Sequence, residues 1–554
     1  MKLNPEQGKV IRKVLLLFVF VIGLFFRFYN LNWDQGNFFH PDERNISKAV
    51  SEINFFGQLN PHFFAYGGFP IYLYRIAGEV VKTITANSSW VSSWGKINLI
   101  GRTFSATFSS LAILLVFMVA KWVFNNKVGV LAACFTAFVP LLIQTGHFGV
   151  TESMLCFWGL IIALFSLKIL QKPTLANYLA AGAVLGLAAG TKFSALSFLI
   201  FPVVAHLFAS EENLWKQAKY LFSFFGVLVF FFFLSSPYTF LDFSSFRKSI
   251  GYEGSVVSGQ RKVCYVYQFY NTYPYIYQIK NLFWTMGPFL AFSSLLGFFV
   301  LSLQSAVSIF SCKTIKRKRL LLISWPVAYF LIIGSWFAKF VRYTVPLLPF
   351  FCIFAAWVSW WVVKRFKFWG RTLICIIVAT TFLYASAFVS IYSQENTRII
   401  ASRWMYENIF PQAKILTEHW DDSLPVNLKG RNARVYRVED LEMYAQDSVD
   451  KLSYLAEKLS TADYLVLSSR RLYGTLTQLP EKYPLTSRYY YLLFSGELGY
   501  EKVAEFASYP QIFGVTIKTS TVEETFQVYD HPKVIIFRNV EQFSDNQLRR
   551  LLSD

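Results

Sequence analysis

Two adjacent acids follow the first apolar stretch of this 554-residue chain. Asp42 and Glu43 stand in the motif His-Pro-Asp-Glu, which begins at His40. A carboxylate beside a hydroxyl group can act as a general base, and nearby lysine or arginine side chains stabilise an anionic phosphate as it leaves. Because consecutive side chains on a helix diverge by about 100°, the two acids are expected to have different roles.

The motif also has a purely structural explanation. Pro41 suits the first position of a helix, and acids in the first turn interact favourably with the helix dipole. Apolar residues then recur at three- and four-residue spacing, at Ile46, Ala49, Val50, Ile53 and Phe56. This spacing predicts an amphipathic helix that lies in a membrane interface. From this segment alone, a helix start and a catalytic pair are both open interpretations.

More polar and ionisable residues occur at the ends of other apolar stretches, at Arg102, His147, Glu152, Lys192, Lys339 and Arg342. Ionisable side chains at membrane depth are unfavourable and commonly mark functional sites, so several of them from separate stretches predict one site. These residues also have structural explanations. Glu152 suits a helix start behind Thr151, His147 suits a hydrogen-bonded interfacial position, and the cations suit contact with lipid headgroups.

Metal and disulfide motifs are weak. The six histidines show no metal-ligand spacing on a common helix, and the six cysteines form no disulfide framework, since Cys312 lies in a basic loop and most others lie in apolar stretches. Asp421 and Asp422 look like a metal pair, but they fit a loop between a strand and a proline turn. We therefore predict no metal site and no required cofactor, with a divalent metal as the alternative.

The composition is that of an integral membrane protein. Hydrophobic residues make up 54% of the chain, and its 59 phenylalanines far exceed what a soluble core of this length uses. No small-residue cleavage site follows the stretch Val14–Phe26, so it is predicted to be an uncleaved helix. Apolar spans predict about eleven transmembrane helices, at residues 10–29, 98–122, 128–145, 152–170, 177–191, 193–209, 219–236, 281–308, 320–337, 343–363 and 372–392.

The net charge of +20 is explained by where the basic residues lie. They concentrate in alternate short loops, as in the groups Lys121 and Lys127, Lys168 and Lys172, Lys216 and Lys219, Lys313 to Arg319, and Lys364 to Arg371. This is the positive-inside pattern, so nucleic acid is not expected as a partner. It predicts a cytoplasmic N-terminus. An odd number of spans then places the candidate site residues and the C-terminal segment on the outer side.

From Tyr392 onward the composition changes to that of a soluble domain. Predicted helices lie at Thr397–Ile409 and Leu441–Ser460, and predicted strands at Ala413–Thr417, Tyr464–Ser468 and Val534–Phe537. The alternation predicts a small α/β domain. We therefore predict a membrane domain at 1–392 and an extracytoplasmic domain at 393–554. The second has no glycine-rich phosphate loop and no nucleophile elbow, which favours recognition or support over chemistry.

Six motifs together resemble the GT-C class of polyprenyl-phosphate-sugar-dependent glycosyltransferases, in particular the family 39-like group of protein O-mannosyltransferases and lipid A aminoarabinose transferases. The motifs are HPDE at 40–43, FPIYLY at 69–74, GRTFSA at 101–106, GHFGVTES at 146–153, TKFSA at 191–195 and RYTVPLLP at 342–349. The resemblance implies a GT-C fold, with an all-α polytopic membrane domain, interfacial helices in the first outer loop and a C-terminal α/β domain.

The resemblance also implies roles for single residues. Asp42 would be the base, with Glu43 assisting, and Glu152 would be a second acidic residue where many relatives carry Asp. Lys192 and Arg342 would contact the lipid phosphate, with Arg102 and Tyr343 as further candidates. Candidate substrate-binding residues are His40, His147, Tyr66 and Gln268. Gln268 lies in an aromatic segment, 258–278, whose alternative is an interfacial aromatic belt.

The implied function is an inverting transfer of a sugar from a polyprenyl-phosphate donor to a hydroxyl of a glycan, lipid or protein acceptor. The expected location is the outer face of a prokaryotic inner membrane, in contact with membrane lipids. Two alternatives are a non-enzymatic flippase for lipid-linked glycans, against which no inverted repeat is detectable, and an oligosaccharyltransferase-like enzyme that uses a diphosphate donor and a metal.

Overall fold

The computed structural model describes residues 5–55, 57–209, 213–307 and 314–553. Phe56, Cys312 and Lys313, which entered the sequence analysis, lie outside these ranges. The chain divides into two compact units. The second unit collects three segments that are distant in sequence, namely Trp33–Phe39, Gly259–Tyr273 and Ser390–Asp554, and the first unit comprises the remaining residues up to Val389.

The first unit is helical. Its helices are α1 Pro5–Phe28, α2 Pro41–Glu52, α3 Gly68–Thr85, α4 Ser89–Ser92, α5 Trp94–Val123, α6 Asn126–Ala137, α7 Pro140–His147, α8 Glu152–Gln171, α9 Leu175–Thr191, α10 Ile200–Leu207, α11 Leu214–Ser235, α12 Tyr238–Leu241, α13 Phe243–Ser258, α14 Ile276–Met286, α15 Pro288–Val307, α16 Thr314–Ser335 and α17 Leu348–Val389. Short 3-10 helices at Phe193–Leu199 and Val341–Leu347 precede α10 and α17.

Six helical stretches in the described ranges are long and apolar enough to cross a membrane, and α6 with α7, which meet at a bend of 56°, would make a seventh. The expected count of about eleven is not confirmed. The apolar helix α9 and the stretch Phe193–Leu207 are shorter. In addition, α17 contains both of the last two predicted spans, and its backbone leaves helical geometry between them, at Phe366 and Lys367.

The bend between α6 and α7 has a clear chemical cause. Pro140 begins α7 and has no N–H to donate, so carbonyl groups at the end of α6 lose their helical partners. The fully buried guanidinium of Arg27 donates to the carbonyl oxygens of Thr136 and Ala137, both at 2.9 Å, and to Ser109 Oγ at 2.7 Å. A basic residue at the end of α1 thus stabilises a break in a neighbouring helix.

The second unit is an α/β domain. Its helices are α18 Thr397–Asn408, α19 Val449–Thr461, α20 Tyr473–Leu476, α21 Pro484–Ser495 and α22 Asp545–Ser553, and its strands are β1 Lys414–Glu418, β2 Arg437–Leu441, β3 Tyr464–Leu467, β4 Tyr500–Phe506, β5 Gln511–Ile512, β6 Val515–Thr516 and β7 Val534–Asn539. The main sheet has the order β2-β1-β3-β7-β4. Strands β2, β1 and β3 are parallel, while β7 is antiparallel to both β3 and β4.

Both faces of this sheet are covered, because alternate side chains of a strand point to opposite faces. In β3, Leu465 and Leu467 join one apolar core, and Tyr464 and Val466 join the other. One prediction was wrong in part: Leu441 ends a strand, and the helix begins only at Val449. The strand β2 was not recognised because its sequence, RVEDL, is charged and half exposed, so pairing with β1 rather than an apolar run defines it.

Candidate active site

The residue at the centre of the candidate site is Asp42, in the first turn of α2. Pro41 begins this helix, and Nδ1 of His40 accepts a hydrogen bond from the Asp42 N–H at 3.2 Å, which caps it. The Asp42 carboxylate forms an ion pair with Arg342, in the 3-10 helix that precedes α17. The hydroxyl of Tyr66 also acts on this carboxylate and lowers its pKa. Of these partners, Arg342 lies 300 residues away in the sequence.

A second acid–cation pair lies beside the first. Lys192 directly follows α9 and donates from Nζ to Glu152 Oε1 at 3.1 Å, and Glu152 begins α8. The same ammonium group lies 5.0 Å from the ring centroid of Tyr66, within the range of a cation–π interaction. Tyr66 therefore links the two pairs, since its hydroxyl contacts Asp42 and its ring contacts Lys192. We call Asp42, Tyr66, Glu152, Lys192 and Arg342 the two-pair pocket.

The position of Tyr66 follows from the two glycines after it. The Gly67 N–H donates to the carbonyl oxygen of Thr191 at 3.0 Å, next to Lys192. A Cβ atom at Gly67 would lie only 1.9 Å from the carbonyl oxygen of Gly190, so a larger residue cannot occupy this position. The turn Tyr66-Gly67-Gly68 therefore holds the tyrosine against the end of α9.

The two-pair pocket and the residue before Glu152 contain polar atoms without partners among the described residues. Among the described residues, no hydrogen bond reaches Oε2 of Glu152, Nε of Arg342, or Oγ1 of Thr151, although all three atoms are buried. Buried polar groups are nearly always hydrogen-bonded to protein or to ordered water. Unsatisfied groups on both the anionic and the cationic side of the pocket therefore indicate a place for a polar ligand.

Glu43 belongs to a different pair. Arg102 of α5 donates from Nε to Glu43 Oε1 at 2.8 Å and from Nη2 to Glu43 Oε2 at 2.6 Å, and it donates from Nη1 to the carbonyl oxygen of Leu31 at 3.0 Å. The Gly149 N–H also donates to Glu43, at 2.6 Å. Both side chains are buried. The carboxylate of Glu43 is thus used to join α2, α5 and the loop before α8.

Three other predicted residues are outside the set that defines the two-pair pocket. His147 is fully buried, with Nδ1 2.9 Å from the carbonyl oxygen of Ile143 and Nε2 2.9 Å from that of Tyr29. Tyr343 follows Arg342, whose guanidinium lies 5.7 Å from its ring. Gln268 belongs to the second unit, where its Oε1 accepts from the Glu524 N–H at 3.4 Å.

Burial and neighbouring charges shift the pKa values of residues outside the spanning segments. For Asp42, burial raises the pKa, but the charge of Arg342, together with Tyr66 and Lys192, outweighs it, so the pKa lies below its usual value. Burial lowers the pKa of His40, which keeps Nδ1 available as a hydrogen-bond acceptor. Burial and the Asp42 charge raise the pKa of Tyr66 well above its usual value, so Tyr66 stays a donor.

One residue of this region was not predicted from the sequence. Glu253 of α13 is half-buried, and the charges of Arg342, Lys192 and Asp42 all act on its carboxyl group. Its only sequence signal is an acid in a polar, aromatic loop with several other charges. Because no apolar stretch surrounds it, Glu253 does not stand out in the way that Glu152 or Lys192 does.

Comparison with known proteins supports the resemblance. Residues 94–236 match the family described as dolichyl-phosphate-mannose-protein mannosyltransferase, a range that includes Arg102, Glu152 and Lys192. The fold is similar to that of the oligosaccharyltransferase from Archaeoglobus fulgidus in the apo form, with 14% identity, a TM-score of 0.50, and coverage of 96% of this chain and 88% of that one. The chain has a GT-C fold.

Two further GT-C structures are similar over most of their length. The oligosaccharyltransferase AglB from Archaeoglobus fulgidus, in complex with an inhibitory peptide and a dolichol-phosphate, is 15% identical, with a TM-score of 0.50 and coverage of 96% of this chain and 89% of that one. ArnT from Cupriavidus metallidurans, bound to undecaprenyl phosphate, is 13% identical, with a TM-score of 0.48 and coverage of 98% and 99%. No curated protein matches the chain.

Proposed function

We propose that this GT-C protein is an inverting glycosyltransferase that moves a sugar from a polyprenyl-phosphate donor to an acceptor hydroxyl at the outer face of a prokaryotic inner membrane. The observation that carries the proposal is the two-pair pocket. It combines a base, Asp42, with two cations, Arg342 and Lys192, and it leaves buried polar atoms unsatisfied. These are the groups that a single displacement at an anomeric carbon with a phosphate leaving group requires.

The reaction uses each group once. The acceptor oxygen attacks the anomeric carbon while the bond from that carbon to the phosphate oxygen breaks, and the bonding electrons leave with the phosphate. Arg342 and Lys192 stabilise the charge that develops on the phosphate. The proton of the acceptor hydroxyl passes to Asp42. Attack from the side opposite the leaving group inverts the anomeric configuration.

In the structure, both cations are already paired with carboxylates, so the donor phosphate has to compete with Asp42 and Glu152 for them. This competition has a useful consequence for the base. While Asp42 is paired with Arg342, its pKa is low and it is a weak base. When phosphate takes over Arg342, Asp42 loses its stabilising charge and binds a proton more readily. The base then becomes effective when the donor is present.

The ion pair of Glu43 and Arg102 serves the site indirectly in this scheme. Every hydrogen-bonding group of Glu43 and Arg102 described above faces the protein, so we assign both a positioning role for α2 and for the loop before α8. His40 has a similar role as the cap of α2. The site requires no cofactor in this scheme. Within the described ranges, no three or more His, Cys, Asp or Glu residues are grouped so that they could hold a metal ion.

The test is transfer from synthetic polyprenyl-phosphate sugars by the purified protein. We expect Asp42→Asn to lower the transfer rate by about 10² to 10⁴-fold, the usual contribution of a general base. Glu52→Gln, an exposed acid on the same helix, is the matched control and should retain the rate. Normal transfer by the Asp42→Asn protein would contradict the proposal, as would retention of the anomeric configuration in the product.

An oligosaccharyltransferase-like reaction is a second candidate, since the fold is similar to that of the Archaeoglobus fulgidus enzyme over 96% of the chain. That reaction would take its sugar from a diphosphate donor and would call for a divalent cation to balance the extra charge. Transfer that stops in the presence of a chelator and returns with Mg²⁺ or Mn²⁺ would favour it. Transfer that is insensitive to the chelator would favour the monophosphate donor.

A further inference from the structure

The helix α13 is held against the two-pair pocket at both ends. Near its start, the ring of Phe246 packs edge to face against Phe193 at 5.4 Å and against Phe64 at 6.5 Å. Phe193 directly follows Lys192 in the chain. Near its end, the carbonyl oxygen of Val257 accepts a hydrogen bond from the Ala338 N–H at 3.1 Å, in the segment that leads to Arg342.

These contacts define the direction of Glu253. Residues seven apart on a helix lie on almost the same face, and residues four apart are neighbours on it. Glu253 is seven residues after Phe246, so its side chain lies on the face that contacts Phe193, and it lies one turn before Val257, whose carbonyl oxygen contacts Ala338. The opposite face carries the exposed cations Arg247 and Lys248. The Glu253 carboxyl group therefore points between the segments that supply Lys192 and Arg342.

Glu253 has no partner of its own there. Among the residues that the structure describes, it makes no hydrogen bond and no ion pair within 4.0 Å, although it is half-buried. The charges that act on it are those of Arg342 and Lys192, which attract it, and of Asp42, which repels it. Both cations are already neutralised by nearer carboxylates. Glu253 is therefore a third acid in a region where other carboxylates already neutralise both cations.

The chemistry of this position selects one kind of ligand group. A second anion beside Glu253 would be repelled by both Glu253 and Asp42. Neutral or cationic hydrogen-bond donors, by contrast, suit a carboxylate, and its two oxygens match a pair of adjacent hydroxyl groups. When the donor phosphate lies on Arg342 and Lys192, the two groups bonded to it are the sugar and the apolar lipid chain, and only the sugar offers hydrogen-bond donors to Glu253.

On the basis of the proposed function, we propose that Glu253 is a sugar-binding residue, which accepts hydrogen bonds from hydroxyl or amino groups of the transferred sugar and excludes sugars that carry a carboxylate. The substrate class is then a neutral or amino sugar rather than a uronic acid. Nothing in the reaction scheme requires this acid, so its effect is on binding and selection of the sugar, with Asp42 still the base.

The experiment compares two synthetic donors that differ only at C6, undecaprenyl-phosphate-glucose and undecaprenyl-phosphate-glucuronic acid, in binding to the purified full-length protein. We expect the wild type to bind the glucose lipid at least about tenfold more tightly, because of like-charge repulsion in a partly buried site. In Glu253→Gln the two affinities should lie within about threefold of each other. Glu52→Gln is the control and should retain the wild-type ratio.

The ratio is the decisive quantity, because removing an acid near the cations also tightens binding of the phosphate shared by both lipids. A ratio near one in the wild type, or one that Glu253→Gln leaves unchanged, would overturn the role of Glu253. Undecaprenyl phosphate without a sugar tests the proposed function separately. If it does not bind to the wild type, the proposed donor is wrong, whereas binding of this lipid with an unchanged sugar ratio rejects Glu253 alone.

Discussion

Asp42 and Glu43 are neighbours in the chain, yet their arginine partners lie in different environments. The side chains of the Asp42–Arg342 pair are 20% and 30% exposed, and Nε of Arg342 has no partner among the described residues. The side chains of the Glu43–Arg102 pair are 0% and 1% exposed. One pair retains unused hydrogen-bonding capacity, whereas the other is enclosed by protein partners on both sides.

The difference arises from the geometry of α2. Glu43 lies on the face that also buries Ile46, Ser47 and Val50, at spacings of three, four and seven residues. Asp42 is rotated by about 100° from that face. A helix start can thus direct one acid into the packed interior and the next acid into a pocket. Adjacent acids in one motif can therefore differ in burial and in the hydrogen-bonding capacity that remains around them.

The largest expected effect is a loss of stability when the buried Glu43–Arg102 pair is broken. Arg102→Met leaves the Glu43 carboxylate buried without a counter-charge, which should lower the free energy of unfolding by about 3–5 kcal/mol. The measurement is thermal unfolding in detergent, compared with Arg342→Met, whose loss should be no more than about 1 kcal/mol because that pair is partly exposed. Equal losses in the two variants would contradict the distinction between the pairs.

A double variant sharpens this prediction. Replacing both partners, as Glu43→Leu with Arg102→Met, removes the uncompensated charge and should recover much of the stability lost in Arg102→Met. Little recovery would mean that the hydrogen bonds to Gly149 and Leu31, rather than the buried charge, account for the stability of this region.

A smaller effect, a gain in lipid-phosphate affinity, is expected at the partly exposed Asp42–Arg342 pair. Asp42→Asn removes the carboxylate that competes with phosphate for Arg342, so undecaprenyl phosphate should bind about tenfold more tightly, in line with the electrostatic energy of a partly screened pair. The measurement is equilibrium binding, with Glu52→Gln as the control. Weaker binding by Asp42→Asn would show that Asp42 does not compete with the phosphate.

The smallest effect concerns His40 and pH. Because burial lowers the pKa of His40 below its ordinary value of 6.5, the unfolded chain binds this proton more readily than the folded protein does. Stability should therefore fall as the pH drops below about 6.5, where the unfolded state gains the proton first. His40→Asn keeps a capping side chain and should reduce this loss, whereas His40→Ala should lower stability by about 1 kcal/mol at neutral pH.

Much of the fold is readable from the sequence, because apolar runs and their periodicity indicate helices such as α5 and α8 and the strands β1 and β3 directly. The number of spans is not, since bends such as that at Pro140 and the kink at Phe366 and Lys367 within α17 interrupt apolar runs. Hydropathy reports composition along the chain and carries no information on where a helix bends.

The candidate site likewise has a part that can be predicted from the sequence and a part that cannot. Glu152, Lys192 and Arg342 are conspicuous because they interrupt apolar surroundings, and Asp42 is conspicuous because it stands in the motif His-Pro-Asp-Glu. Their pairing is set by packing between segments as much as 300 residues apart, which no local pattern encodes. Glu253 is inconspicuous for the opposite reason, since its surroundings in the sequence are polar. Its position near the pocket follows from the contacts of Phe246 and Val257.

The close contact of Gly67 with Gly190 also limits how the protein can change shape. With no side chain between the two backbones, the aromatic ring of Tyr66 and the ammonium group of Lys192 are joined through main-chain atoms. A displacement of the end of α9 would carry both groups along together. The spacing between the two backbones is therefore fixed, and only the flexible stem of Lys192 can adapt to a ligand that enters between the two groups.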